Sequence, residues 1–171
     1  MARPDRPRPL QLEAWRSFLE AHARVTAVLD DELKAAHGLQ LTWYDVLVQL
    51  SSAGGRLRMS ELADAVLLSR SNCTRLIDRM DSAGLVRREA DPADARSRWA
   101  VLTDQGMRQL RAAAGTHLDG VERYFTSLVT DRQATDLATL FAQVAEAARA
   151  SEAADTAEAA VMSAAAEAPT T

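Results

Sequence analysis

Basic and polar residues alternate with apolar ones between positions 69 and 80. The apolar residues recur at i, i+3, i+4 and i+7, the spacing that gathers side chains on one face of a helix: Cys73, Leu76, Ile77 and Met80. The other face carries hydrogen-bonding groups and three permanent positive charges: Ser69, Arg70, Ser71, Asn72, Thr74, Arg75 and Arg79. Such groups read base edges and bind phosphates. The stretch therefore predicts a DNA-recognition helix, which Gly84 ends as a left-handed cap.

A second basic segment follows this helix. Residues 85–89 and 99–102 have the composition of two short antiparallel strands, and residues 90–98 between them are rich in turn-forming types. Two acids and two arginines occupy the predicted loop: Asp91, Asp94, Arg96 and Arg98. A guanidinium on a thin, exposed hairpin suits a narrow minor groove, where negative potential is concentrated. The alternative is a solvated hairpin with an internal ion pair.

Two helix starts are predicted ahead of the recognition helix. Thr42 has the character of an N-cap with Asp45 three residues later, and a helix over residues 43–51 follows. Ser60 is the second predicted N-cap, with Glu61 in the first turn, where its charge complements the helix dipole. The short helix that it begins and the recognition helix form a helix-turn-helix pair.

Longer helical patterns lie on both sides of this region. A near-heptad stripe predicts one long helix that ends at Gly38: Leu12, Trp15, Leu19, His22, Thr26, Leu29 and Leu33. Thr103 is the predicted cap of a helix that runs on to Leu128, and residues 130–133 form a capping box for a final helix. The apolar stripe of the helix that ends at Gly38 is wide enough to pack against its own domain and a second partner. A second copy of the chain could be that partner.

These patterns predict a mainly α fold with a small β wing, made of a winged helix-turn-helix domain and a helical dimerisation bundle. The predicted organisation has five parts: an Arg/Pro arm at 1–9, dimerisation helices at 10–38 and 104–150, the DNA-binding domain at 39–103, and an alanine-rich acidic tail at 151–171 that is frayed or disordered. The arm is either disordered or a DNA contact.

Charge is distributed unevenly along the 171 residues. The chain carries a net charge of −4, yet residues 56–111 hold eleven arginines against eight acidic residues, a local charge of +3. Local charge governs phosphate binding, since screening acts over about 8 Å at physiological salt. The middle of the chain is therefore the predicted partner of DNA.

Composition also excludes several classes of protein. The sequence contains no run of 18 apolar residues, which a membrane span would need, and residues 1–9 lack the apolar segment of a secretory signal. We therefore expect a cytoplasmic protein without a membrane partner. The one cysteine, Cys73, excludes an internal disulfide and a multi-thiolate metal site. Its two interpretations are a buried packing residue and a redox switch.

The order of these motifs resembles the MarR family of winged-helix transcriptional regulators over residues 12–148. Six segments carry the resemblance: Leu41-Thr-x-Tyr-Asp-Val-Leu-Val-x-Leu50, Met59-Ser-Glu-Leu-Ala63, Ser69-Arg-Ser-x-x-Thr-Arg-Leu-Ile-Asp-Arg79, Gly84-Leu-Val-Arg-Arg88, Asp91-Pro-x-Asp-x-Arg96 and Val101-Leu-Thr-x-x-Gly106. The run from the wing into the next helix cap is the most diagnostic part.

The resemblance implies a homodimer that presents one winged domain to each half of a palindromic operator. It places base contacts on the front half of the recognition helix, at Ser69, Arg70, Ser71, Asn72, Thr74 and Arg75. It also implies that Arg96 enters the minor groove with Asp94 orienting it. Arg79 and Arg98 are then candidates for phosphate contacts.

Many members of the family are released from DNA by small aromatic acids bound between the dimer helices and the winged domain. The resemblance implies that such a ligand would meet Trp15, His22, Trp43, Tyr44 and Arg88. Packing roles in the core or at the dimer interface are the alternative for these side chains.

Two other functions are alternatives to that of a ligand-responsive repressor. A helical dimer that has lost DNA binding and acts through protein partners would need no arginines on the recognition helix, which carries three. An enzyme would need a nucleophile with a paired base, a metal-ligand spacing or a phosphate-binding glycine loop, and the sequence offers none of these. We therefore predict neither catalytic residues, nor a metal, nor a cofactor.

Overall fold

The computed structural model describes residues 6–91 and 94–166; at residues 95, 96, 152, 155, 156 and 158–166 it describes the backbone alone. The chain divides into two compact units, residues 1–124 and 125–171. The first unit holds five helices and a three-stranded sheet in its described part, and the second holds one long helix. The architecture is mainly α with a small β wing, as predicted.

Helix α1 spans Pro9–His37 and begins with proline at a position where its missing N–H costs nothing. Gly38 ends the helix in the left-handed conformation, with a φ of 62°. Only the second half of the predicted apolar stripe is covered, because Leu29 and Leu33 are buried whereas Leu12, Trp15, Leu19 and His22 are exposed.

Helices α2 (Leu41–Ser52) and α3 (Met59–Ala65) each begin two residues before the predicted start. The predicted caps are therefore wrong. Gln40 precedes α2 without a side-chain cap, and Asp30 of α1 instead accepts the Leu41 N–H at 2.8 Å. At α3 the Glu61 carboxylate accepts the Arg58 N–H at 3.0 Å, so Ser60 does not cap the helix.

The sheet has the strand order β1-β3-β2 and is antiparallel throughout. Its strands are β1 (Arg56–Arg58), β2 (Val86–Asp91) and β3 (Asp94–Leu102). The hairpin is longer than predicted, because most of residues 90–98 belongs to strands rather than to a loop. Strand β1 was not predicted; three residues are too few for an alternating pattern to be recognised.

Helix α4 (Arg70–Ser82) follows α3, and helix α5 (Asp104–Tyr124) follows the wing. As predicted, Thr103 caps α5: its hydroxyl oxygen accepts the Gly106 N–H at 3.0 Å. The helix ends at Tyr124 and not at Leu128, because Phe125 leaves helical geometry with φ −139° and ψ −64° and a short 3-10 turn follows.

The five helices α1, α2, α3, α4 and α5 and the sheet all contribute to one hydrophobic core, which surrounds the inner face of α4. Its fully buried members include Leu33, Leu39, Val46, Leu47, Leu50, Leu62, Cys73, Ile77, Met80 and Val86. The core therefore fixes α4 from beneath and leaves its other face outward.

The second unit contains α6, which spans Asp131–Ala166. The predicted capping box is present: Gln133 accepts the Thr130 N–H at 3.0 Å, and Thr130 accepts the Gln133 N–H at 3.3 Å. The helix continues beyond Ser151, where we expected a frayed helix or disorder; alanine, the strongest helix former, dominates this stretch. In the described part of the chain, no helix is long and apolar enough to cross a membrane.

Candidate nucleic-acid interface

The recognition helix predicted from the sequence is α4. Ser69 is its N-cap, and its hydroxyl oxygen accepts the Asn72 N–H at 3.3 Å. Gly84 follows the helix with a φ of 74°, as predicted for a left-handed cap. All four predicted inward residues are buried: Cys73, Leu76, Ile77 and Met80. The helix is therefore seated on the core by one apolar face.

The outward residues of α4 are available to a partner. Arg70, Arg75 and Arg79 are exposed, and so are Ser71 and Asn72. The Arg75 guanidinium is held by its own helix, because it donates to the Asn72 side-chain oxygen at 3.3 Å and to the Ser71 carbonyl at 3.4 Å. Both bonds are long and exposed, so they cost little to exchange for a phosphate or a base. Thr74 is partly buried, and its hydroxyl donates to the Arg70 carbonyl at 2.9 Å.

Two open grooves border α4, one on each side. The groove on the wing side has a volume of about 260 Å³ and is lined by Met59, Ser60, Thr74, Arg88, Ser97 and Arg98. The groove on the α2 side has a volume of about 610 Å³ and is lined by Thr42, Leu68, Asn72, Arg75, Leu76, Asp78 and Arg79. Five of the predicted DNA-contact residues therefore line these two grooves, with Arg98 of the wing beside Thr74 of the helix.

Arg88 bridges the wing and the helix. Its guanidinium donates to Asp78 of α4 at 2.6 Å, and both side chains are partly exposed. The structure pairs Arg88 with a recognition-helix carboxylate, and its role toward a ligand stays a prediction. The pair ties β2 to α4 and thus helps to fix the wing against the helix.

The wing turn differs from the predicted exposed loop. Asp91 ends β2 and Asp94 begins β3, and these two residues face each other in the register. Asp91 is buried, with an ion pair to Arg58 of β1 at 3.0 Å, so it does not lie at an exposed tip as predicted. The side chain of Arg96 lies outside the described residues, so its predicted pairing with Asp94 stays a prediction.

The residues predicted to bind a ligand lie in different surroundings. Trp15 is 54% exposed on α1, and its ring centroid lies 5.9 Å from that of Phe18. His22, also exposed, lies 6.2 Å from the same Phe18 ring. These three rings form one exposed aromatic row on the first half of α1.

Trp43 and Tyr44 lie instead on α2, packed against or within the core. The Tyr44 ring is 4.5 Å from the ring of His117 on α5. Among the described residues, Trp43 Nε1 and His117 Nδ1 are buried without a hydrogen-bond partner. Burial raises the pKa of Tyr44 and lowers that of His117, although the nearby Asp45 charge partly opposes the second shift. Sequence reasoning missed His117 because its spacing fits the buried face of α5.

The polar groups of this surface suit binding. Within the residues that the structure describes, no group of three His, Cys, Asp or Glu side chains could hold a metal ion. What converges instead is a row of guanidinium and amide groups beside a hairpin, which is the chemistry that binds a polyanion.

Comparison with known proteins identifies the family. The MarR family model matches residues 37–97. The structure is similar to that of AbsC, a MarR family transcriptional regulator from Streptomyces coelicolor, with 36% identity, a TM-score of 0.80, and 85% of this chain and 98% of that chain covered. A second MarR family regulator from the same organism, crystallised in complex with DNA, is 33% identical, with a TM-score of 0.81 and coverage of 85% and 92%.

A curated relative, the uncharacterised HTH-type transcriptional regulator YkoM of Bacillus subtilis, is 34% identical over 97 residues. That match covers 57% of this chain and 62% of YkoM, so the chain spans less than two thirds of that relative's length. These relatives are transcriptional regulators, which confirms the prediction of a regulator and not an enzyme. The chain belongs to the MarR family of winged-helix transcriptional regulators.

Proposed function

We propose that this protein is a cytoplasmic, homodimeric repressor that binds a palindromic operator through α4 and the wing, and that a small aromatic or phenolic ligand releases it. The observation that carries the proposal is the polarity of α4. Its apolar face is buried in the core, whereas Arg70, Arg75 and Arg79 are exposed together on the outside. The solved relative crystallised with DNA supports the same use of the fold.

The contacts divide into two kinds by their position. Ser71, Asn72 and Arg75 lie in the first turns of α4, which is the part of a recognition helix that reaches base edges in the major groove. Arg79 and Arg98 flank these turns and suit phosphates. In a two-fold dimer the two α4 helices must lie about one helical turn of DNA apart, roughly 34–36 Å, so the proposed operator is a palindrome.

The first test is a selection of bound sequences from random duplexes, followed by affinity measurements on the selected duplex. Phosphate contacts release counterions from DNA. We therefore expect the affinity for the selected duplex to fall steeply as the salt concentration rises from about 50 to about 200 mM. Arg75→Ala should weaken binding by about 1–3 kcal/mol and relax the preference at one base position. The same selection repeated with salicylate, as a representative phenolic acid, tests release by ligand.

Arg149→Ala is the matched control. Arg149 is an exposed arginine of α6 whose guanidinium is paired with Glu146 at 2.9 Å, so its removal changes the net charge equally and leaves every residue of α4 and the wing unaltered. We expect it to bind as the wild type does. Affinity that does not change with salt, or an equal loss in the Arg75→Ala and Arg149→Ala variants, would contradict the proposal.

A further inference from the structure

One arginine outside the predicted DNA surface reaches the wing from a neighbouring strand. Arg58 is the last residue of β1, and it faces Trp99 of the central strand β3 in the register. Its guanidinium carbon lies 5.4 Å from the centre of the Trp99 ring, and its Nη2 is 3.0 Å from Asp91 Oδ2. Adjacent strands are about 4.8 Å apart, so this side chain crosses the central strand to reach β2.

The two members of the pair differ greatly in exposure. The Asp91 side chain is 4% exposed, whereas that of Arg58 is 45% exposed. A buried carboxylate needs a charge partner, because it has lost its hydration. Arg58 supplies such a charge from the solvent side and therefore restricts where Asp91 can lie.

Asp91 occupies the position at which the hairpin changes register. The pairing of β2 with β3 shifts between Ala90 and Asp91, and Asp91 then faces Asp94 across the turn. The path of the chain beyond this turn carries Arg96 and Arg98. A group that fixes the position of Asp91 therefore also fixes the start of the segment that carries these two arginines.

The other end of Arg58 is attached to the helix-turn-helix. Its N–H donates to Glu61 in the first turn of α3 at 3.0 Å. One residue thus contacts the helix pair through its backbone and the wing through its side chain. Through these two contacts the position of the wing depends on the position of the helix-turn-helix.

We propose that Arg58 is a positioning residue for DNA binding: its ion pair with buried Asp91 fixes the wing turn relative to the helix-turn-helix. This inference rests on the proposed function for its effect on DNA, but the effect on the wing itself needs no DNA. The role is distinct from a phosphate contact, since Arg58 acts through Asp91.

Hydrogen exchange on the free, full-length protein tests the structural step. Arg58→Gln should speed amide exchange in residues 86–102 at least tenfold and leave α1 and α5 unchanged. Asp91→Asn should do the same, and the double variant should exchange no faster than either single variant. Arg58→Lys, which keeps the charge, should restore part of the protection.

Arg56→Gln is the matched control, because Arg56 lies on the same strand with its guanidinium 4.1 Å from the same Trp99 ring. We expect this variant to keep the protection of the wing. Unchanged exchange in Arg58→Gln, or equal loss in Arg56→Gln, would overturn the proposal.

The salt dependence of binding to the selected duplex distinguishes a positioning role of Arg58 from a direct phosphate contact. Arg58→Gln should weaken binding about tenfold with the slope of log affinity against log salt unchanged. A direct phosphate contact would instead lower that slope by about one, and this result would overturn the positioning role. If the wild type binds no duplex while Arg58→Gln still loosens the wing, the proposed function fails and the ion-pair inference stands.

Discussion

Two glycines of α5 have opposite surroundings and should respond oppositely to the same substitution. A Cβ at Gly106 would lie 2.1 Å from the Leu85 carbonyl oxygen, whereas a Cβ at Gly115 would meet nothing within 4 Å. Gly106→Ala should therefore destabilise the fold by about 1–3 kcal/mol, because backbone must move. Gly115→Ala should stabilise it by up to about 1 kcal/mol through helix propensity.

Urea unfolding of the two variants checks this prediction. Each is the control of the other, since both place one methyl group on the same helix. A similar midpoint for both variants would mean that α5 does not pass as close to residue 85 as the structure has it.

At the same scale, the surroundings of Cys73 favour one of its two interpretations. The side chain has no exposed surface, and burial raises the pKa of its thiol. A thiol that is both inaccessible and protonated is a poor nucleophile. The packing role is therefore the one that the structure supports.

At the scale of elements, His117 makes the contact between α2 and α5 sensitive to acid. Burial lowers its pKa in the folded chain, and the groups around it are Tyr44 and Asp45 of α2. The unfolded chain therefore binds this proton more readily than the folded one. Stability should fall as pH decreases through the unfolded value of about 6.5, with the loss growing until the lower folded pKa is passed.

The measurement is urea unfolding at several pH values between roughly 7.5 and 5. His117→Gln should be less sensitive to pH over this range than the wild type. His22→Gln replaces an exposed histidine of α1 and serves as the control. Parallel stability curves for the wild type and the His117→Gln variant would contradict the prediction.

Elements with a strong local pattern could be predicted from the sequence, and those that depend on distant partners could not. The apolar spacing of α4 is enough to place its buried face, because one helix period determines it. The cap of α2 comes from Asp30, eleven residues earlier, and no local motif indicates it. Strand β1 exists because β3 pairs with it, and the end of α5 at Tyr124 has no glycine or proline to signal it.

The same distinction applies to the candidate site. The exposed residues of α4 could be predicted because they are the complement of its buried face. The ion pair of Arg58 with Asp91 joins residues 33 positions apart in the sequence, and the contact of Tyr44 with His117 joins two helices. Such pairs are set by tertiary packing, which single-sequence patterns do not contain.

At the scale of the whole molecule, the uncovered part of α1 accounts for the proposed dimer. The first half of α1 exposes large apolar side chains to solvent, which is unfavourable for an isolated chain. Their exposed fractions are Leu10 75%, Leu12 39%, Trp15 54%, Phe18 38% and Leu19 46%. Each buried apolar square ångström contributes about 25 cal/mol before the entropic cost of association is subtracted, and burial of this row by a second copy is the driving force of the proposed dimer. Leu19→Asp would place a charge in that interface and should dissociate the dimer.

Sedimentation equilibrium at micromolar concentration measures the mass directly. We expect the wild type at twice the chain mass of 18.6 kDa and Leu19→Asp at the chain mass itself. Leu67→Asp is the control, because Leu67 is 89% exposed in the turn between α3 and α4 and has a φ of 55°, which aspartate tolerates better than leucine does. It should remain dimeric. A monomeric wild type, or a dimeric Leu19→Asp variant, would show that the row on α1 has another purpose, and a two-fold operator would then lose its basis.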